Sequence, residues 1–137
     1  MKKHGMLNGE ISRVLSYMGH TDTLAVGDCG LPIPDGTERI DLAVTYGVPS
    51  FMEVLKAVSD DMKVEKVILA EEIRESNPHI LREINHLFAE CETGFKTEVV
   101  FVPHSRLKAM TGSCKAVIRT GETTPYANII LQSGCIF

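Results

Sequence analysis

Apolar residues along this chain switch between a helical and an extended period, and the switches divide it into elements. Leu7, Ile11, Val14, Leu15 and Met18 fall on one helical face, with Asn8 as its N-cap and Gly19 as its C′ residue. The stretch 23–27 is short, apolar and stopped by Asp28 and Gly30, the pattern of a buried strand running into the turn Leu31-Pro32-Ile33-Pro34-Asp35-Gly36. A second strand is expected over 39–44. Ser50-Phe51-Met52-Glu53 has the form of a capping box, and behind it Phe51, Val54, Leu55 and Val58 share a helix face. The Val, Ile and Leu of 64–70 read as a central strand that Glu71-Glu72 ends. Asn77 as N-cap and Pro78 at N1 open a helix carrying Ile80, Leu81, Ile84, Leu87, Phe88 and Cys91, with Gly94 as its stop. Strands at 97–102, 116–119 and 128–132 and a short helix at 105–111 complete the pattern. This order predicts one α/β domain over residues 1–137, a three-layer α/β/α sandwich with a central mixed sheet of about six strands.

Composition narrows the function classes. A chain of 137 residues at 44% hydrophobic has material for one sizeable core and not for two. A net charge of −4, with no cluster of Lys and Arg, excludes nucleic acid and anionic membrane surfaces as natural partners, and a small neutral ligand fits better. Asn8, Gly9 and Glu10 interrupt any apolar run after the basic start, and no later run is long enough to span a membrane, so a cytoplasmic protein is expected. Cys29, Cys91, Cys114 and Cys135 include no CxxC pair, which argues for packed thiols over a zinc site or a disulfide framework.

Candidate chemistry lies in polar residues at element ends. His20 follows a helix C-terminus, whose dipole favours imidazolium, so it is either a simple capping residue or a proton donor. Asp28 closes a strand, where a turn carboxylate and a ligand-binding carboxylate are both natural in an α/β sheet. His104 follows Pro103 at another strand end, ahead of Ser105 as helix cap, and the two histidines are expected to share one rim of the sheet. Tyr126 and Asn128, flanking Ala127 ahead of the last strand, offer a phenol and an amide suited to a polyhydroxylated ligand, or simply a strand start with a turn amide. His79 and His86 lack a third ligand at metal-binding spacing and read as solvated helix-face residues, and of Glu71 and Glu72 one should be partly buried and one solvated. Asp28-Cys29-Gly30 is no dinucleotide fingerprint, and there is no glycine-rich phosphate loop, so neither metal nor nucleotide cofactor is expected.

The segments Gly19-His20-Thr21-Asp22, Asp28 through Pro34, Arg39-Ile40-Asp41, Ala70 through Ile73, Ile118 through Glu122 and Pro125 through Asn128 together resemble the family of ribose pyranases and fucose mutarotases, in register from about Leu7 to Phe137. The resemblance implies a cofactor-free isomerase that interconverts the pyranose and furanose forms of D-ribose and so supplies ribokinase. It implies His20 as proton donor and Asp28, His104, Tyr126, Ala127 and Asn128 as sugar-binding positions. It also implies a ring-shaped homo-oligomer, a decamer, with sites near subunit boundaries. Gly30 and Ala127 stand where the fucose branch has histidine and glycine, which favours ribose, and Cys29 stands where the ribose branch usually has alanine. A fucose-type mutarotase and a sugar-binding protein without turnover are the alternatives.

Overall fold

The computed structural model describes residues 1–89 and 96–137, so Cys91 and Gly94 lie outside the described residues. Asn8 caps α1 (Gly9–Tyr17) by accepting from the Ile11 amide at 3.0 Å, and Ile11 and Val14 bury the apolar face. Leu7, expected on that face, precedes the helix and is exposed. Met18 ends the helix in an extended conformation and Gly19 follows at C′, but the left-handed residue is Thr21, with φ 69°. Then come β1 (Thr23–Gly27), β2 (Glu38–Asp41), shorter than its apolar stretch suggested, and α2 (Phe51–Asp61), which starts in the reciprocal Ser50–Glu53 capping box. β3 (Val64–Ala70) is followed by a turn of helix that the pattern did not reveal, α3 (Ile73–Ser76), before α4 (Pro78–Ala89). β4 (Glu98–Val102), α5 (His104–Met110), a 3₁₀ turn over Thr111–Ser113, β5 (Ala116–Arg119) and β6 (Ile129–Ser133) close the chain. Pro103, not Ser105, is the N-cap of α5, which makes His104 its first residue.

The sheet has six strands in the order β2-β5-β1-β6-β3-β4. β6 runs antiparallel between β1 and β3, and every other pairing is parallel. Alternation along the central strands sends Leu24, Val26, Val67, Leu69, Ile129 and Leu131 to one face, beneath Ile11, Phe51, Leu55, Ile73 and Ile84 from α1 to α4. Ala25, Ile68, Ala70, Val117 and Ile130 point to the other face, against Leu107 of α5 and Leu31. The expected three-layer sandwich with a mixed sheet is therefore the fold. No helix among the described residues is long and apolar enough to cross a membrane. The described cysteines are unpaired, Cys114 buried and Cys29 and Cys135 half-buried.

Because β6 alone is reversed, one rim of the sheet collects the carboxyl ends of the other strands and the amino end of β6. That rim, the upper one below, is where ligands bind in open α/β sheets. The lower rim carries the starts of β1 and β3 and the end of β6.

Candidate active site

The upper rim brings Asp28, His104, Tyr126 and Asn128 together. Gly27 ends β1 without a side chain because a Cβ there would lie 2.5 Å from Leu31 Cδ2 and 2.8 Å from Asn128 Oδ1. Asn128, almost wholly buried, uses this space to grip the next residue: its Oδ1 accepts from the Asp28 amide at 3.0 Å and its Nδ2 donates to Asp28 Oδ2 at 2.9 Å. The other Asp28 oxygen accepts from the Gly30 amide at 2.9 Å, the turn bond expected of this residue. A carboxylate fixed through both oxygens is pre-oriented toward any hydroxyl that approaches the rim.

His104 enters from β4. Its backbone amide donates to both carboxylate oxygens of Glu72, at 3.1 and 3.0 Å, which ties the start of α5 to the turn after β3. Glu72 is half-buried and Glu71 exposed, the division expected of that pair. The imidazole stands edge-on to the Tyr126 ring, with centroids 5.0 Å apart and planes at 88°. Its Nδ1 is buried and has no hydrogen-bond partner among the described residues, an atom a ligand hydroxyl would satisfy. Burial, and then the Lys108 cation, push the His104 pKa below its usual value against the opposing pull of Glu72 and Asp28, so the ring is neutral at physiological pH and able to accept a proton.

The segment 120–128 holds its shape through contacts the sequence did not disclose. Glu122, buried, accepts from the Thr123 and Thr124 amides and the Thr124 hydroxyl at 3.0 Å each through Oε1, and from the Phe51 amide at 3.2 Å through Oε2. Burial would raise its pKa, but these bonds, chiefly from the Thr124 and Phe51 amides, outweigh it and hold the carboxyl below the usual range. Asn77 donates to Thr124 Oγ1 at 2.8 Å and to the Pro125 carbonyl at 3.0 Å. Tyr126 is thereby held at φ 57°, a left-handed conformation sparsely populated for a bulky residue. The Ala127 side chain lies in the core beneath the helices, and the residue is wholly buried.

His20 is not part of this cluster. It precedes β1 whereas Asp28 follows it, and a strand of this length separates the two by roughly 16 Å. The expectation of two histidines on one rim fails for the same reason: His104 closes β4 on the upper rim, and His20 lies on the lower one. There it is exposed, with Nε2 at 3.0 Å from Glu65 Oε2, so a carboxylate and not the helix end is its partner. His79 and His86 are exposed on α4, as expected, and help line a surface groove of about 420 Å³ with Lys56, Arg82, Glu83 and Leu87. That groove shares no residue with the upper-rim cluster. Among the described residues, no three His, Cys, Asp or Glu side chains gather to hold a metal ion.

The fold recurs in known proteins. The D-ribose pyranase of Bacillus cereus strain B4264 is 55% identical over 137 residues, covering all of both chains. The Bacillus subtilis RbsD structure, solved in complex with D-ribose, superposes with a TM-score of 0.93 at 44% identity over the full length of both. A fucose mutarotase from Streptococcus pneumoniae, in complex with L-fucose, shares the fold at a TM-score of 0.82 with 23% identity, over 99% of this chain and all of that one. The model of the RbsD / FucU transport protein family matches residues 1–136, and the chain belongs to that family.

Proposed function

We propose that this chain is an isomerase that interconverts the pyranose and furanose forms of D-ribose, and that its catalytic groups come from two subunits. The observation that carries the reading is the full-length likeness to D-ribose pyranases, joined to an upper rim on which Asp28, neutral His104 and Tyr126 converge. Opening the pyranose ring needs a proton delivered to the ring oxygen while the anomeric hydroxyl loses one. The C1–O bond then breaks and leaves a linear aldehyde. Rotation followed by attack of the C4 hydroxyl, with the proton movements reversed, gives the furanose. Asp28, Tyr126 and the backbone at Ala127 hold the sugar hydroxyls, and Asn128 holds Asp28. His104 Nδ1 accepts the anomeric proton. His20 donates to the ring oxygen, a step worth about 10²–10⁴ in rate.

Since His20 and the upper rim are separated within one chain, the reading requires the lower rim of one copy to meet the upper rim of the next. Both rims suit such a contact. Val44, Tyr46 and Val48 are exposed near the upper one, and Tyr17, Ile136 and Phe137 near the lower. Unlike surfaces that meet head to tail form a ring where the rotation closes, and the assembly proposed is a homo-oligomer, a decamer, acting in the cytoplasm.

Saturation transfer between the anomeric signals of D-ribose tests the activity, with L-fucose as a parallel substrate. Catalysed pyranose-to-furanose exchange is expected for ribose, and acceleration of fucose anomers alone would overturn the reading. Mixing His20→Ala and Asp28→Ala subunits under exchange conditions tests the shared site. Each variant alone is expected to be inactive, and the mixture to recover part of the activity. A mixture as inactive as its components would refute a site shared between subunits.

A further inference from the structure

We propose that Glu65, held by Gln132, is the positioning residue of His20: it keeps a proton on Nε2 and leaves Nδ1 as the nitrogen that exchanges a proton with the sugar. The inference rests on the reading of His20 as proton donor and assigns the machinery behind it. The three side chains form a chain of contacts from the end of β6 through the start of β3 to the loop before β1. Gln132 Nε2 donates to Glu65 Oε1 at 2.6 Å, and Glu65 Oε2 lies 3.0 Å from His20 Nε2.

The backbone around this chain is fitted to it. A Cβ on Gly134 would lie 2.9 Å from Glu65 Cβ and 3.1 Å from Oε2, so a glycine is needed where β6 ends if the carboxylate is to lie there. The loop that carries His20 is fastened on both sides of the histidine. Asp22 Oδ2 accepts from the Gly19 amide at 2.9 Å, Thr21 donates to the Ser133 carbonyl at 2.9 Å, and the Ser133 amide donates to the Asp22 carbonyl at 2.8 Å. These bonds hold Thr21 at φ 69°, a costly conformation for a β-branched residue that persists only where its surroundings over-determine it. An exposed loop gains no packing from such strain. What it gains is a fixed direction for the His20 ring.

The charged groups of the neighbouring elements are Glu65 and Lys66 of β3, Lys63 just before it, Asp22 of the loop itself, and Lys115 before β5, which pairs with Asp22 at 3.3 Å. The hydrogen bonds from Gln132 and His20 hold the Glu65 carboxyl below its usual range, so it is an anion throughout the neutral region. An anion beside Nε2 accepts from an N–H there in both states of the ring. In the protonated state Nδ1–H passes its proton to the sugar ring oxygen. The ring left behind is the Nε2–H tautomer, whose Nδ1 lone pair takes the proton back when the ring recloses.

Long-range ¹⁵N–¹H spectra of the His20 imidazole in the intact protein, assigned by comparison with His20→Ala, test the tautomer without disturbing the site. Neutral His20 is expected as the Nε2–H form, and a proton on Nδ1 would overturn the proposal. Glu65→Gln is expected to fold with an unchanged melting temperature and to lower kcat about tenfold at neutral pH with KM unchanged, the scale of a lost charge pair in a partly wet setting. Gln132→Ala should lower kcat in the same direction by less, again with KM unchanged. Wild-type kcat in Glu65→Gln, beside an inactive His20→Ala, would overturn this inference alone. Full activity in His20→Ala would overturn the donor reading and this inference with it.

Discussion

The two rims of the sheet present their polar residues in opposite ways. On the upper rim, Asn128 is buried, Asp28 and His104 are half-buried, and contacts run between distant parts of the chain: Asp28 to Asn128, Asn77 to Thr124, Glu122 to Phe51. On the lower rim, His20 and Thr21 are exposed, although distant segments hold this loop too, the end of β6 through Thr21 and Asp22 and β3 through Glu65. Yet each rim holds one non-glycine residue in the left-handed region, Tyr126 above and Thr21 below. The difference matches two tasks. Recognition of hydroxyls needs acceptors fixed and shielded from water before the sugar arrives. A proton donor that serves a site on another subunit must protrude, so it is held by its backbone and one carboxylate and not by burial.

If the upper rim depends on its buried network, removing the carboxylate at the network's centre should have the largest effect. Glu122 accepts from three backbone amides, including Phe51 at the N-terminus of α2, where the helix dipole favours an anion. Its folded-state pKa lies below the ordinary 4.5, so its stabilisation is fully present above that value and is lost as pH falls through the folded-state pKa. Glu122→Gln is expected to lower the unfolding free energy by roughly 1.5–3 kcal/mol at neutral pH, as for hydrogen bonds to a charged group. Urea titrations at a series of pH values should show the gap to wild type closing in acid. A gap independent of pH would mean that shape, not charge, is what Glu122 supplies.

Asn128 sharpens the comparison at the site itself. Truncation to alanine leaves the Asp28 amide unpaired beneath the rim and frees the carboxylate from one of its two anchors. The expected cost is about 1–3 kcal/mol of stability for the unsatisfied group, together with weaker ribose binding and little change in the proton-transfer step. Separate kcat and KM values from exchange rates at several ribose concentrations would check this. A fall in kcat with KM unchanged would move Asn128 from holding Asp28 to the chemistry.

Much of this architecture was legible in the sequence. The capping box at Ser50, the Asn8 and Asn77 starts and the apolar strands are local signals, read correctly because the interactions that set them span a few residues. The positions of Asp28, Tyr126 and Asn128 at element ends were legible for the same reason. Glu65 and Gln132 were not, because their partners lie 45 and 67 residues away, and Glu122 was not, because its bond to Phe51 spans 71 residues; each looks like an ordinary strand or loop residue in its own segment. The expectation that His20 and His104 share a rim failed on topology alone. A residue before a strand and a residue after a parallel one point to opposite edges, and the parallel relation of β1 to β4 emerges only once β6 is placed, reversed, between β1 and β3.

The smallest effect should come from Thr21, and its sign is the informative part. A β-branched residue in the left-handed region carries strain of roughly 1–2 kcal/mol, and glycine removes it at an entropic cost of about 0.5–1 kcal/mol in the unfolded chain. Thr21→Gly should therefore be neutral to slightly stabilising, with a melting temperature equal to or a little above that of wild type. If the strain exists to aim His20, the relaxed loop samples more directions, and kcat should fall about twofold with KM unchanged. Stability gained with no loss of rate would show that the lower rim tolerates a looser donor. Stability lost would show that the Thr21 side chain holds the loop by contacts of its own, and the strained backbone would then be a consequence of those contacts and not the device that directs the histidine.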